Sequence, residues 1–217
     1  MPQFLEVSHK IEVGMTTYPG LPVPRAEVVL DYDTSHSRYG GLSEFHIASL
    51  HLCGNTGTYV DSPMHRHRGA ADLSELPLEK LAHVSVVVVH ALTEDAIGPE
   101  TFRGINVRDK AVLIHTGFSQ HWRHSRYLER NPFLTSDACE LLLDQGVRFA
   151  GIDSVNIDDL ADLSRPAHTK LLGAGVPICE HMTNLASVEG EGWMLHAVPI
   201  AWVGGATFPV RAYLLRL

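Results

Sequence analysis

Polar side chains that could bind a metal or transfer protons form two groups, far apart in an otherwise apolar sequence. The first group lies in residues 55–67 and includes Asp61 and His65, and the second consists of His168 and Glu180. A buried polar group costs free energy unless it is hydrogen-bonded, paired or bound to a metal. The two groups therefore predict one site that the fold assembles from both parts of the chain.

The spacing within each group is compatible with a shared cavity. Asp61 and His65 are four residues apart, and Pro63 between them is tolerated in the first turn of a helix. If His65 lies on that turn, both side chains can face the same side. His168 lies twelve residues before Glu180, which is consistent with a helix that runs back over a sheet before the next strand ends at the glutamate.

The elements that must position these side chains follow from hydrophobic patterning. Continuous β-branched runs are typical of strands buried on both faces, whereas alternation is typical of half-buried strands. Strands are predicted at residues 84–90, 111–117, 149–153, 176–179, 4–9 and 42–53, with two or three more within 194–215. Helices are predicted at 98–102, at 137–145 with Ser136 as cap and Gly146 at the end, and at 168–172 closed by Gly173. Residues 55–67 are expected to form a loop that enters a helical turn.

The alternation of strands and helices predicts an α/β fold with a mixed sheet and flanking helices. No linker or low-complexity run divides the 217 residues, so a single domain over residues 1–217 is expected. Polar residues that follow apolar strands lie where open α/β sheets usually bind ligands. Asp153 is one of these residues, and we expect it to support the site by hydrogen bonding rather than to bind a metal.

Composition argues against several classes of protein. The formal charge of -8 and the scattered basic residues argue against nucleic-acid binding. Three cysteines without a C-x-x-C pair argue against a disulfide scaffold or a cysteine zinc module. Neither a charged-then-apolar leader nor a run of membrane-spanning length is visible, so a cytoplasmic protein without a membrane partner is expected.

The two polar groups resemble the signature of the putative cyclase family, which includes bacterial kynurenine formamidase and isatin hydrolase. That signature reads H-x-G-T-H-x-D-x-P-x-H, followed by G-x-D, a histidine, and a glutamate in the context E-x-x-x-N-L. The matching residues are Gly57, Thr58, Asp61, Pro63, His65, Gly151, Asp153, His168, Glu180, Asn184 and Leu185. Similar segments also occur at residues 18–20 and 208–212, so the resemblance spans nearly the whole chain.

The chain departs from the signature at its first two histidines, where it has Asn55 and Tyr59. In the family, those histidines and the aspartate bind one divalent metal, and the aspartate, the later histidine and the glutamate bind a second. The resemblance therefore implies that Asp61, His168 and Glu180 hold at most one ion, zinc or manganese. A site without metal is the alternative, because an amide oxygen and a phenol are weak replacements for imidazole.

The resemblance implies a hydrolase of a small amide, lactam or lactone, similar to an arylformamidase. His65 is expected to act as general acid and base beside the catalytic Asp61. Tyr59 or Asn55 is expected to donate a hydrogen bond to the developing oxyanion. Tyr18 and Asn55 are expected to contact the substrate. Two alternatives stay open: a metal-independent cyclase, dehydratase or isomerase, and a small-molecule-binding protein that has lost catalysis.

The expected architecture and assembly also come from the resemblance. It implies a swivelling β/β/α-like fold, as in the kynurenine formamidase family, and a homodimer or homotetramer that acts on a small molecule. From the sequence itself, loops at residues 31–42 and 120–133 are expected to form the pocket walls. Their aromatic side chains favour an apolar or aromatic ligand.

Overall fold

A nine-stranded mixed sheet runs through the computed structural model, which describes residues 1–217. The strands are β1 (Gln3–Glu6), β2 (Arg25–Leu30), β3 (Ile47–His51), β4 (Tyr59–Asp61), β5 (Ala82–His90), β6 (Ala96–Ile97), β7 (Ala111–His115), β8 (Phe133–Leu134), β9 (Phe149–Ile152), β10 (Ile178–Glu180), β11 (Met194–His196), β12 (Thr207–Pro209) and β13 (Tyr213–Arg216). Their order in the large sheet is β1-β13-β11-β5-β7-β9-β10-β4-β12. The central strands β5, β7, β9 and β10 are parallel, and the outer pairs are antiparallel. The predicted α/β fold with a mixed sheet is confirmed.

The central strands form because their residues are apolar on both faces. Every residue of β7 and β9 is buried. Along β7, Val112 and Ile114 face one core cluster, whereas Ala111 and Leu113 face the other. Such burial on two faces is typical of parallel strands. Because β9 and β10 are parallel, their carboxyl ends lie side by side at the same end of the sheet, where Glu180 ends β10.

Two α-helices and several short helical turns accompany the sheet. They are α1 (Tyr32–Arg38), α2 (Ser136–Asp144), a π-helix at His168–Leu172, and 3-10 turns at Pro63–His65, Leu78–Lys80, Pro99–Phe102, Phe118–His121, Ser125–Leu128 and Leu185–Ser187. The helical segments predicted at 98–102, 137–145 and 168–172 are therefore present. None of these helices is long and apolar enough to cross a membrane.

One of the predicted helix ends needs a correction. Thr135, rather than Ser136, caps α2: its side chain accepts from the Ala138 amide at 3.3 Å, and its backbone is extended. Either hydroxyl could serve as a cap, and the one just before the first helical residue does so. Gly173 caps the C-terminus of the helix at His168–Leu172, as predicted, with a right-handed backbone, and Gly175 beyond it is left-handed at φ 72°.

The expectation of a loop at residues 55–67 is wrong for Tyr59–Asp61, which forms strand β4. β4 pairs with β10 on one side and β12 on the other. Both partners come from distant sequence, so the local turn residues gave no sign of the pairing. The helical turn that was expected to follow is present at Pro63–His65, with the proline in its first position.

β2 and β3 form a separate two-stranded antiparallel ribbon, which with α1 between them covers residues 25–51. We call these residues the ribbon. Apolar side chains are exposed along its strands, among them Val28 at 59% and Leu50 at 55%. Because α1 belongs to the ribbon, the expectation that residues 31–42 form a wall of the site's cavity is wrong: none of them lines it.

Candidate functional site

A cavity of about 370 Å³ opens where β4, β10, the 3-10 turn at Pro63–His65 and the π-helix meet. Its walls are Tyr18, Leu21, Asn55, Tyr59, His65, Arg66, Asn156, Arg165, His168 and Glu180. Six of these were predicted as site residues from the sequence, and the fold brings all six together. The seventh predicted residue, Asp61, lies fully buried beside His65 and His168.

The pairing of β4 with β10 sets Tyr59 directly opposite Glu180. The Tyr59 hydroxyl donates to Glu180 Oε2 at 2.5 Å, and the Ile157 amide donates to Glu180 Oε1 at 2.7 Å. Burial, then the charges of Glu180 and Asp61, raise the pKa of Tyr59 well above its usual value. The phenol therefore stays protonated and acts as a donor.

Glu180 is fully buried. Burial raises its pKa to about 7, a shift that the charge on His168 opposes and that on Asp61 reinforces. Because both of its oxygens accept hydrogen bonds, the carboxylate has a fixed orientation. It can accept or release a proton near neutral pH.

His168 is oriented by Asp158, a buried carboxylate that the sequence reasoning missed. Nδ1 of His168 donates to Asp158 Oδ2 at 2.6 Å, while the backbone amides of Ala167 and His168 donate to the same carboxylate. Nε2 consequently points at Asp61 Oδ2, 3.7 Å away, and at Glu180 Oε1, 3.6 Å away. Burial would lower the pKa of His168, but the surrounding carboxylates outweigh it and raise this pKa to about 10.

Asp61 is the most unusual group of the site. It is completely buried, and neither of its carboxylate oxygens accepts a hydrogen bond. His65 Nε2 lies 3.9 Å from Oδ1, and His168 Nε2 lies 3.7 Å from Oδ2. A buried carboxylate without hydrogen bonds is costly unless a cation neutralises it. This environment fits a bound metal ion.

Three side chains could share such an ion. One ligand atom each from Asp61, His65 and His168 lies within 4.8 Å of the other two. Glu180 is close to His168, but its two oxygens already accept hydrogen bonds from Ile157 and Tyr59. This group of three contains His65 where the sequence indicated Glu180.

Asn55 and Tyr18 both line the cavity, as expected for substrate contacts. Asn55 Oδ1 accepts from Thr207 Oγ1 at 3.2 Å, and its side chain also reaches the Tyr59 hydroxyl. Because the Tyr59 proton is engaged by Glu180, the amide of Asn55 is the freer of the two donors that were proposed for an oxyanion.

The sequence-based expectations for two regions around the site, Asp153 and residues 120–133, have different outcomes. Asp153 accepts from the Thr116 amide and hydroxyl and from the Gly117 amide, so it is a hydrogen-bonding residue as expected, although it does not line the cavity. The expectation that residues 120–133 line this cavity is wrong. Trp122 and Tyr127 line a neighbouring cavity of about 560 Å³ instead. Tyr127 packs there against the buried ring of His181.

The residues that sequence reasoning missed are Asp158, Asn156, Arg66 and Arg165. They occur in polar stretches whose sequence is typical of solvated loops. One signal was available: Asp158 lies ten residues before His168, close enough for a short turn to bring a carboxylate onto the imidazole.

Comparison with known proteins identifies a family and individual relatives that resemble this chain. A family model described as putative cyclase matches residues 5–159. The matched span contains Asp61 and His65 and ends before His168. A kynurenine formamidase from Salinibacter ruber is 26% identical over 204 residues, which cover 94% of this chain and 96% of that protein.

Solved structures of similar proteins confirm the predicted fold. Isatin hydrolase A from Labrenzia aggregata, bound to benzyl benzoate, has a TM-score of 0.83 at 21% identity, covering 99% of this chain and 94% of that chain. A structure described as a potential metal-dependent hydrolase with cyclase activity has a TM-score of 0.81 at 24% identity, covering 100% of this chain and 99% of that chain.

Proposed function

The chain belongs to the putative cyclase family, and we propose that it is a metal-assisted hydrolase of a small amide, lactam or lactone. The observation that carries the proposal is Asp61, a buried carboxylate without hydrogen bonds that faces two imidazoles. The kynurenine formamidase relative and the isatin hydrolase structure support hydrolysis of an amide-type bond.

Asp61, His168 and Glu180 are the proposed ligands of one divalent ion, zinc or manganese. When bound, such an ion polarises a carbonyl and activates a water molecule. Asp158 orients His168 so that its Nε2 faces the other two ligands. Since His168 is protonated in the protein alone, ion binding must release a proton.

His65 is the proposed general acid and base. It lines the cavity next to Asp61 and is partly exposed, so a substrate can reach it. It would take a proton from the attacking water and return it to the departing atom, the nitrogen of an amide or lactam or the oxygen of a lactone. Asn55 would donate a hydrogen bond to the carbonyl oxygen as its charge develops, while Tyr59 keeps Glu180 in place.

A second ligand assignment is favoured by one specific observation. Asp61, His65 and His168 each offer a ligand atom within 4.8 Å of the others, and both oxygens of Glu180 already accept hydrogen bonds. In that arrangement His65 would bind the ion, and Glu180 would act as the proton acceptor. The two arrangements differ in whether metal content depends on His65.

The protein is further proposed to be a cytoplasmic homo-oligomer in which the ribbon packs on a second copy of the chain. A two-stranded ribbon is marginally stable alone, and this one exposes apolar side chains along both strands. Burial against another subunit would remove that surface from water. All three cysteines are free, which agrees with a reducing compartment.

Metal analysis combined with an activity screen tests the proposal. We expect no more than one zinc or manganese per chain, because Asn55 and Tyr59 replace two imidazoles. We also expect hydrolysis of at least one aryl formamide, lactam or lactone, with loss of activity on chelation and recovery on adding the ion. Two ions per chain would contradict the proposed site. Full activity after complete removal of metal would favour the metal-independent alternative.

A further inference from the structure

Two arginines lie in the wall of the site's cavity, where the proposed reaction has no use for them. Arg66 directly follows His65, and Arg165 lies three residues before His168. Each guanidinium is therefore carried by the same short segment as a histidine that faces the metal cluster. A substrate group bound by the two arginines would lie in the same cavity as the reacting atoms but would not itself react.

Both guanidinium groups are held in place by neutral acceptors. Arg66 donates from Nε to Thr169 Oγ1 at 2.9 Å and from Nη2 to the Ser164 carbonyl at 3.0 Å. Arg165 donates from Nη1 to the Asp159 carbonyl at 2.9 Å. These contacts use only part of the five N–H donors of each guanidinium. The remaining donors are available to a ligand.

Neither arginine forms an ion pair. Other arginines do pair with carboxylates, such as Arg123 with Glu12 and Arg148 with Asp109. In a chain with a formal charge of -8, two guanidinium groups without a carboxylate partner line the same cavity, and the carboxylate that also lines it, Glu180, already accepts from Tyr59 and Ile157. Guanidinium groups favour carboxylates, which they can bind through two parallel hydrogen bonds.

The backbone at Arg165 has an uncommon conformation. Its φ of 50° is left-handed, which is uncommon for a residue other than glycine, asparagine or aspartate. The Arg165 carbonyl accepts from the Thr169 hydroxyl at 2.7 Å. Thr169 also accepts from Arg66, so one threonine links the two arginine segments.

We infer that Arg66 and Arg165 bind a carboxylate of the substrate, remote from the bond that is cleaved. This inference rests on the proposed function and deepens it: the substrate class is an acidic small amide rather than a neutral one. Binding energy from a remote anionic group would position the amide carbonyl in the cavity.

The test uses two aryl formamides that differ only in charge, 4-formamidobenzoate and 4-formamidobenzamide. We expect kcat/KM to favour the acid about 10-fold or more, since a charge-assisted hydrogen bond is worth at least that factor. Arg66→Gln and Arg165→Gln should each remove most of this preference, mainly through KM. Arg165→Lys should retain part of it. Arg68→Gln, which removes the same charge two residues from Arg66 and outside the cavity wall, should leave it unchanged.

Calorimetric binding of benzoate and benzamide separates this inference from the proposed function. If neither formamide is hydrolysed but benzoate binding weakens about 10-fold in Arg165→Gln at equal metal content, the proposed hydrolysis fails and the anion site stands. If both formamides are hydrolysed equally well and the arginine variants leave benzoate binding unchanged, the inference is overturned.

Discussion

The cavity and the ribbon are opposite in character. The cavity buries charged groups in the sheet, with Asp61 and Glu180 both inaccessible to solvent. The ribbon exposes apolar side chains to water, with Val28 and Leu50 more than half accessible. Both arrangements are unfavourable for an isolated chain. Each region therefore fits a different partner among those proposed: an ion and substrate for the cavity, and a second subunit for the ribbon.

The largest expected effect comes from removing the imidazole that faces the cavity. His65→Ala should lower turnover by about 10²- to 10⁴-fold, because general acid–base catalysis contributes on that scale. The fold and the assembly should be retained, since His65 is partly exposed and lies outside the ribbon. Steady-state kinetics, circular dichroism and light scattering measure these three properties.

His67→Ala is the matched control for that variant, because His67 lies two residues further on and contacts the Thr169 carbonyl outside the cavity wall. It should keep most of the activity. Loss of the metal ion in His65→Ala would assign His65 as a ligand. Undiminished turnover in a folded His65→Ala protein would remove it from the mechanism altogether.

The next largest effect, on self-association, is expected from substitutions in the ribbon. Val28 and Leu50 lie on the same face because Val28 pairs with Ala48 and Leu50 pairs with Ala26. Val28→Glu combined with Leu50→Glu should weaken self-association by about 100-fold or more, since burying two carboxylates is costly. Sedimentation over a concentration series measures the change.

Leu78→Glu is the control, because Leu78 is 64% exposed but lies outside the ribbon. It should not alter association. An unchanged oligomer in the double ribbon variant, or a monomeric wild-type protein at micromolar concentration, would refute the assigned interface and leave the cavity unaffected.

A smaller effect is expected from the carboxylate behind His168. Asp158→Asn should weaken metal affinity by about 10- to 100-fold, because second-sphere partners orient metal-binding histidines. Asp159→Asn is the adjacent control: its side chain accepts only from the Ala161 amide. Competition titration with a chromophoric chelator gives both affinities. Equal affinities in the two variants would show that Asp158 does not support the ion.

The smallest effect concerns the dependence of stability on pH. His9 stacks on Trp122 at 4.1 Å, and burial lowers its pKa to about 4. Between pH 6.5 and 4 the unfolded chain binds a proton at this position and the folded chain does not, so the free energy of unfolding falls as pH falls. The loss should be about 2 kcal/mol, allowing for partial solvent screening.

His9→Phe keeps the stacked ring and removes the titration, and the Nε2 that it deletes has no hydrogen-bond partner. Urea unfolding at several pH values should therefore show a flatter profile for the variant between pH 6.5 and 4. Identical slopes for the two proteins would assign the acid sensitivity to other groups.

Much of the site could be predicted from sequence because its residues follow strands. Glu180 ends the apolar strand β10, and Pro63 sets the turn that carries His65. Asp61, His65, His168 and Glu180 converge as expected from the two polar groups. The strand at Tyr59–Asp61 escaped prediction because three residues between turns become a strand only when β10 and β12 supply hydrogen bonds.

The remaining residues could not be found because their local sequence has no distinctive pattern. Asp158 is next to another aspartate in a loop, and only its hydrogen bond to His168 in the folded protein distinguishes it. Arg66 and Arg165 lie about a hundred residues apart and meet through Thr169. Pairing of loop residues over such separations depends on the tertiary fold, which periodicity and turn signals do not describe.

The antiparallel pairing of β4 with β10 sets position 59 opposite position 180 through backbone hydrogen bonds, whatever side chains are present. Positions 59 and 61 therefore share the cavity face, while Val60 packs in the core on the other face. Inserting or deleting one residue in β4 would exchange these faces. Point substitutions leave the pairing register of β4 and β10 unchanged. Substitution of the residue at position 59 can therefore change the chemistry of this site, whereas a change in the length of β4 would disrupt it.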